Sequence, residues 1–218
     1  MPVNKEAYKQ LNEELRLLAI TLVAVSKTKP VEDILKLYDL GHRDFGENYV
    51  QELVEKSDQL PKDIRWHFIG HLQTNKVKSI IPFVYLIHGV DTLKLLKEIN
   101  KQAEKHSRVI HCLLQIHIAQ EETKFGLDEN ELFSLDINQF ENVKIVGLMG
   151  MASLTDDITK IRVEFKQLKI MYDKLTTLNP QLSTLSMGMS SDYKIAIEEG
   201  SNMVRIGSLL FGERNNQK

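Results

Sequence analysis

The chain has 218 residues, enough for one large domain or two small ones. Hydrophobic residues make up 42% and charged residues 27%, as in an ordinary soluble globular protein. The net charge of -2 shows no excess of basic residues of the kind that binds nucleic acid. No apolar run approaches the roughly 18 residues that a membrane span needs. The polar amino terminus shows no signal peptide, and the single cysteine, Cys112, cannot form an internal disulfide. We therefore expect a cytoplasmic protein that binds neither nucleic acid nor membranes.

Strand and helix patterns alternate along the chain. Asn4 can cap a first helix, which precedes a strand at about 20–26. Further strands are predicted at about 44–48, 64–69, 84–88, 109–118, 144–151, 184–187 and 203–206. Helices are predicted between them at about 30–41, 49–58, 73–80, 91–106, 128–139, 157–178 and 192–199, with a last helical turn at 207–212.

This alternation predicts an α/β fold with a parallel sheet. Eight strand–helix units closing on themselves give a (β/α)₈ TIM-type barrel, here compact and with an extra helix at the amino terminus. We expect a single domain over residues 1–218, because no linker-like segment interrupts the pattern. An open doubly wound sheet is the alternative, although no G-x-G-x-x-G follows the first strand.

The fifth strand separates two faces by its alternation. Apolar side chains on one face suit helices packed outside the sheet: Ile110, Cys112, Leu114, Ile116 and Ile118. The opposite face suits a mixed barrel interior: Val109, His111, Leu113, Gln115 and His117. No third ligand accompanies the two histidines, so we predict no metal site. Cys112 is expected to be buried filler rather than a nucleophile.

Lys27 follows the buried first strand, at the point where Pro30 stops the strand and opens a helix. Ligands of parallel α/β proteins bind at the carboxyl ends of the strands. A lysine held against an apolar core can have its pKa lowered and its amine freed for Schiff-base chemistry. A surface lysine at a strand end is the plainer alternative.

The loops after the last two predicted strands suit a phosphate group. Ser190 or Ser191 can cap the helix that follows the seventh strand, and Gly207 and Ser208 open a helical turn after the eighth. Barrels commonly bind phosphate with these two loops. Ordinary capping and turn chemistry explains either loop alone equally well.

Arg205 lies inside the predicted eighth strand, on the same face as Met203 and Gly207. A fixed cation in a buried strand needs a partner. Either a carboxylate from elsewhere in the chain supplies it, or a ligand acceptor does, and the neighbouring loops favour a ligand. Together with Lys27 and the phosphate loops, Arg205 suggests a phosphorylated aldehyde, and pyridoxal 5′-phosphate (PLP) fits best.

Several motifs, in the same order along nearly the whole chain, resemble those of the pyridoxal phosphate homeostasis protein family. This family comprises stand-alone barrel relatives of the alanine racemase N-terminal domain. The matching motifs are AVSKTKP (24–30), FGENYVQE (45–52), WHFIGHLQTNK (66–76), KFG (124–126), GLM (147–149), LSMGMS (185–190) and MVRIGS (203–208).

The resemblance implies a fold-type III PLP protein in which Lys27 forms the aldimine and Arg205 lies near the pyridine nitrogen. It also implies phosphate contacts from Ser190, Gly207 and Ser208. The family often has threonine where this chain has Ser208, a change that keeps the hydroxyl group. Further implied residues are those of the ring pocket, Asn48, His67 and Met187, and a second lysine near the pocket, Lys124, for which a solvated loop lysine is equally expected.

The resemblance leaves open whether bound PLP does chemistry. An arginine is always charged and disfavours ring protonation, so bound PLP stabilises carbanions less well. Racemases related to this family work with such an arginine, but they also use a catalytic tyrosine. This tyrosine belongs to a second domain and is contributed by the other subunit of a dimer. This chain ends at Lys218, just past the eighth strand, without room for that domain.

We therefore expect a PLP carrier in vitamin B6 homeostasis with no catalytic residues and no fast turnover. It would be a monomer that serves PLP-dependent apo-enzymes. A low-activity amino-acid racemase and a Schiff-base aldolase acting on a sugar phosphate are the alternatives.

Overall fold

The structure, a computed structural model, describes residues 3–119 and 125–212. Within these residues eight parallel strands pair in sequence order, and the first pairs with the last to close a barrel. The strands are β1 (Thr21–Val25), β2 (Asp44–Glu47), β3 (Arg65–Phe68), β4 (Leu86–Val90), β5 (Ile110–Gln115), β6 (Val143–Met149), β7 (Thr184–Ser186) and β8 (Met203–Ile206). The predicted TIM-type barrel is confirmed, and the doubly wound alternative is wrong.

Helices follow the strands around the outside of the barrel. They are α1 (Lys5–Leu17), α2 (Val31–Tyr38), α3 (Val50–Gln59), α4 (Val77–Ile80), α5 (Leu93–Lys105), α6 (Glu129–Ser134), α7 (Ile158–Leu178), α8 (Tyr193–Glu198) and α9 (Ser208–Phe211), with a 3₁₀ turn at Thr74–Lys76. The extra amino-terminal helix is therefore confirmed as α1. A helix was expected over 128–139, but α6 stops at Ser134 because Leu135 has an extended backbone.

Two apolar layers hold the barrel together. The larger lies between strands and helices and includes Trp66 and Cys112, the second of which is buried as expected. The smaller fills the barrel interior: Val23, Leu86, Leu113, Met149 and Met203. The face assignments for β5 are confirmed, since Leu113 points inward while its neighbours Cys112 and Leu114 pack outside.

Burial limits the chemistry that Cys112 can perform. The thiol of Cys112 is fully buried, which raises its pKa well above the ordinary value and makes it a poor nucleophile.

Over residues 3–119 and 125–212, no cluster of three or more histidine, cysteine or acidic side chains could hold a metal ion. No helix in those ranges is long and apolar enough to cross a membrane.

The two ends of the described chain are tied together. Asn4 caps α1 by accepting a hydrogen bond from the backbone of Ala7 at 3.0 Å, as predicted. Its own backbone N–H donates to the carbonyl of Leu210 in α9 at 2.8 Å. The Lys29 ammonium group donates to the carbonyl of Phe211 at 2.8 Å, so α9 is held both by α1 and by the loop after β1.

Candidate functional site

A cavity of about 450 Å³ opens at the carboxyl end of the barrel, and we call it the carboxyl-end cavity. Loops that follow β1, β2, β3, β6, β7 and β8 contribute to its wall. Six of the eight predicted site residues line it: Lys27, Asn48, Ser190, Arg205, Gly207 and Ser208. The closed barrel therefore brings together residues from both ends of the chain.

Lys27 reaches this cavity from a tightly fixed turn. The next residue, Thr28, has a φ of 62°, in the left-handed region that a β-branched side chain rarely adopts. Its backbone N–H donates to Oε1 of Glu52 at 2.6 Å, and the preceding Ser26 is fully buried. Backbone strain of this kind persists only where surrounding contacts enforce it, so the position of Lys27 is strongly determined.

A buried ion-pair cluster lies behind the turn. Lys56 Nζ donates to Oε1 of Glu47 at 2.8 Å, to Oε1 of Glu52 at 2.6 Å and to the carbonyl of Ser26 at 2.8 Å. The Ser26 hydroxyl donates to the same Glu47 oxygen at 2.6 Å. Sequence reasoning missed this cluster, although a glutamate inside the predicted second strand was a signal, because buried charges need partners.

Glu47 is unusual within this cluster. Its side chain is fully buried, and its second oxygen, Oε2, has no hydrogen-bond partner. Burial raises the pKa of its carboxyl group to about 7, although Lys56 and Ser26 oppose the shift. The proton equilibrium of Glu47 is thereby placed near neutrality, and Glu47 is hydrogen-bonded to Ser26, the residue that precedes the cavity-lining Lys27.

Arg205 enters the cavity from β8 and is 4% exposed. Its Nη1 donates to the carbonyl and the hydroxyl of Ser186 at 3.0 and 2.7 Å, and its Nη2 donates to the carbonyl of Gly150 at 3.1 Å. Burial lowers the pKa of the guanidinium group to about 10, so the group stays charged at neutral pH. These three acceptors are neutral oxygens, and none is a carboxylate. A hydrogen-bond acceptor on a ligand in the cavity would therefore still stabilise the charged guanidinium group.

The two loops expected to bind phosphate lie against each other. The backbone N–H of Gly207 donates to Oγ of Ser190 at 3.2 Å. The expectation that Ser190 or Ser191 caps the next helix is wrong: α8 begins at Tyr193. Both serines lie in a turn before the cap residue, Asp192, and Ser190 contacts the β8 loop instead.

The β7 loop needs glycine at its first bend. Gly188 has a φ of 95°, and a Cβ atom there would lie 2.6 Å from that of Ala196. Only glycine adopts this backbone without cost. Gly188 thereby lets the chain turn from β7 towards the cavity, where Met189 and Ser190 line the wall.

Two predicted ring-pocket residues lie away from the carboxyl-end cavity. His67 is fully buried inside the barrel, bonded to Asp44 and His88, and lines a second cavity at the amino end of the strands. Met187 packs in the layer between strands and helices. Side chains alternate along a strand, so Met187 points outward because Ser186 points inward. Neither residue lines the carboxyl-end cavity, and Lys124 lies outside the described residues.

Comparison with known proteins identifies the family. The family model for the alanine racemase N-terminal domain matches residues 5–215. A pyridoxal phosphate homeostasis protein of Aquifex aeolicus is 44% identical over 88% of this chain and 86% of its own length. PipY of Synechococcus elongatus, solved with PLP bound, superposes with a TM-score of 0.87 at 34% identity, covering 95% of this chain and 99% of that one.

A more distant neighbour shows the fold alone. Alanine racemase of Clostridium difficile superposes with a TM-score of 0.76 at 18% identity and covers 99% of this chain but 62% of its own. The barrel is thus that of the alanine racemase N-terminal domain. The chain belongs to the pyridoxal phosphate homeostasis protein family, as its motifs indicated.

The raised pKa of Glu47 predicts a pH-dependent stability. Between its ordinary value of 4.5 and about 7, the folded state holds a proton that the unfolded state releases. The free energy of unfolding of the wild type, measured relative to that of Glu47→Gln, should therefore fall by about 2 to 3 kcal/mol as pH rises through this window. Urea unfolding of both proteins at pH 4.5 and pH 8 measures the difference.

The same substitution at the exposed Glu13 is the matched control, because that side chain is hydrated in both states. A constant difference between wild type and Glu47→Gln across this range would contradict the prediction.

Proposed function

We propose that this chain binds PLP in the carboxyl-end cavity, attached covalently through Lys27. The observation that carries the proposal is that the Lys27 side chain, the buried Arg205 and the two adjoining serine and glycine loops share one cavity. The homeostasis proteins related to it and the PLP-bound structure of PipY support the same ligand.

The residues of the cavity fit this group in size and chemistry. A volume of about 450 Å³ lies within the ordinary range for small-ligand cavities. Phosphate oxygens suit hydroxyl and backbone donors, which Ser190, Gly207 and Ser208 supply on adjoining loops. Lys27 supplies the amine for an aldehyde.

Arg205 decides the electronic character of the ligand. A guanidinium group can only donate hydrogen bonds, and therefore suits an unprotonated pyridine nitrogen. PLP supplies an electron sink for carbanions, which is weaker when its ring nitrogen carries no proton. Because Arg205 stays charged even when buried, we infer that it holds the ring in this weaker form.

The lining also favours storage over turnover. Lys27 shares the wall with Lys29, serines, an asparagine and apolar side chains, and the described lining residues include no tyrosine, histidine or carboxylate side chain. Racemisation needs an acid and a base on opposite faces of the reacting carbon. We propose a carrier without fast turnover, acting as a monomer that passes PLP to apo-enzymes.

Covalent attachment predicts a visible absorption band. The purified protein mixed with PLP should show this band, and borohydride reduction should fix the cofactor on Lys27. Lys27→Ala should lose the band and the reducible label. Absorbance spectroscopy and mass mapping of the modified lysine measure both.

The matched control is Lys144→Ala at the opposite end of the barrel, where Lys144 lines the amino-end cavity. It should keep the band. A label on another lysine would refute the proposed attachment, and a protein that shows no band at all would refute PLP binding.

Two further substitutions separate the phosphate and ring contacts. Ser208→Ala should weaken PLP retention about ten- to a hundredfold, by loss of one hydrogen bond to a charged group, with an unchanged spectrum. Arg205→Ala should alter the absorbance as well as the affinity. Titration of apo-protein with PLP measures both, and Ser183→Ala at the amino end of β7 is the control. Wild-type spectra and affinities in both variants would exclude the proposed contacts.

The carrier role predicts slow chemistry. Loaded protein incubated with L-alanine should yield the D enantiomer no faster than free PLP. The described lining has no tyrosine, histidine or carboxylate side chain, and its second lysine, Lys29, is hydrogen-bonded to the carbonyls of Phe211 and Gly212. Chiral chromatography measures the rate. An enantiomer appearing at about 1 s⁻¹ or faster, an ordinary enzyme rate, would favour the racemase alternative.

A further inference from the structure

A chain of hydrogen bonds runs through the barrel interior, from its amino end to the carboxyl-end cavity. Arg205 Nη1 lies 2.7 Å from Ser186 Oγ, which lies 3.3 Å from His88 Nδ1. His88 Nε2 lies 2.9 Å from His67 Nδ1, and His67 Nε2 lies 3.0 Å from Asp44 Oδ1. The three middle side chains are fully buried. Five residues from five different strands thus form one continuous path.

The two ends of the path give it a direction. Arg205 can only donate, and an ionised Asp44 can only accept. Burial opposes ionisation of Asp44, but hydrogen bonds from Arg65 and His67 hold the pKa of its carboxyl group well below the usual range. With both histidines neutral, each intermediate group accepts a hydrogen bond from the Arg205 side and donates one towards Asp44.

This direction fixes the tautomers of both histidines. His67 donates through Nε2–H to Asp44, so its Nδ1 accepts. His88 must then donate through Nε2–H to His67, which leaves its Nδ1 to accept from the Ser186 hydroxyl. Ser186 in turn accepts from Arg205, and every donor in the chain is used.

A protonated His67 would reverse the middle of the chain, with His88 donating through Nδ1 to Ser186. Arg65 donates to both oxygens of Asp44, and His67 Nε2 contributes a third hydrogen bond to the same carboxylate. Burial, with smaller contributions from His67 and Arg205, lowers the pKa of His88 well below its ordinary value, so His88 is neutral.

We propose that Ser186, His88 and His67 are positioning residues that orient the Arg205 guanidinium group and couple it to Asp44 at the other end of the barrel. The inference rests on the proposed function, since the oriented group is the one that would face the pyridine nitrogen.

The coupling has a physical reason. A buried guanidinium group whose hydrogen-bond acceptors are all neutral is costly, and the charge of Asp192 offsets part of that cost. A row of aligned dipoles ending on the Asp44 carboxylate adds to this stabilisation. The Ser186 hydroxyl can rotate, and it presents a lone pair to Arg205 because its proton is committed to His88. Without His88, the Ser186 hydroxyl would rotate freely, and Nη1 of Arg205 would no longer be held in one orientation.

The first test needs neither a variant nor the cofactor. Spectra of protein labelled with ¹⁵N-histidine, recorded at pH 7, report which ring nitrogen carries the proton. We expect neutral rings with Nε2–H for both His67 and His88. A proton on Nδ1 of His88, or a doubly protonated His67, would overturn the proposed direction of the chain.

The second test uses substitutions at His88. His88→Leu should weaken PLP binding about five- to tenfold and shift the absorption maximum of the bound cofactor. His88→Gln offers one donor and one acceptor and should restore the wild-type spectrum in large part. A merely space-filling role in an apolar interior predicts the opposite order, with leucine tolerated at least as well as glutamine.

The matched control is His42→Leu. His42 is also buried and bonds through Nε2 to the backbone carbonyl of Asp44 at 2.8 Å, but it lies outside the chain. It should leave the spectrum unchanged. A His88→Leu protein with wild-type spectrum and affinity would refute the positioning role while leaving PLP binding intact. A wild type without a PLP band would refute the proposed function, and the histidine spectra would still test the chain.

Discussion

The pairing of the first and last strands is the interaction on which both fold and site depend. β1 lies parallel to β8, with Val23 opposite Arg205 and Ala24 opposite Ile206. The other neighbouring strands are consecutive in sequence, so this pairing alone carries the full entropy of closing the chain. Burial of the apolar layer on both sides of the sheet offsets that cost. The same register sets Lys27 beside the loop of Gly207, and the site therefore forms only when the barrel closes.

Local patterns in the sequence were sufficient to predict most of this arrangement. Alternating strands and helices indicated a barrel, and strand periodicity assigned Cys112 and Leu113 to opposite faces, as the structure shows. Lys27 and Arg205 were predictable for the same reason: polar residues at or near the carboxyl ends of buried strands lie at one mouth of a parallel barrel.

Features that depend on which side chains meet across the barrel were not predictable. Met187 follows Ser186 by one residue, and a strand end does not reveal which of the two points inward until neighbouring strands fix it. His67 belongs to a recognisable motif, but its depth in the barrel depends on the stagger of β3 against β2 and β4. The contact of Glu47 with Lys56 joins a strand to a helix, a packing detail that no periodicity encodes.

The anchoring of α9 has a consequence for the local stability of the site. A helix of four residues has no stability of its own. The helix carries Ser208, and its carbonyls are held by Asn4 and Lys29, from the start of the chain. Fluctuations that open α1 would remove one of these two attachments and loosen α9, while the strands and the Lys29 contact stay in place. The lifetime of one wall of the cavity would then be set by the docking of the first helix rather than by the unfolding of the barrel.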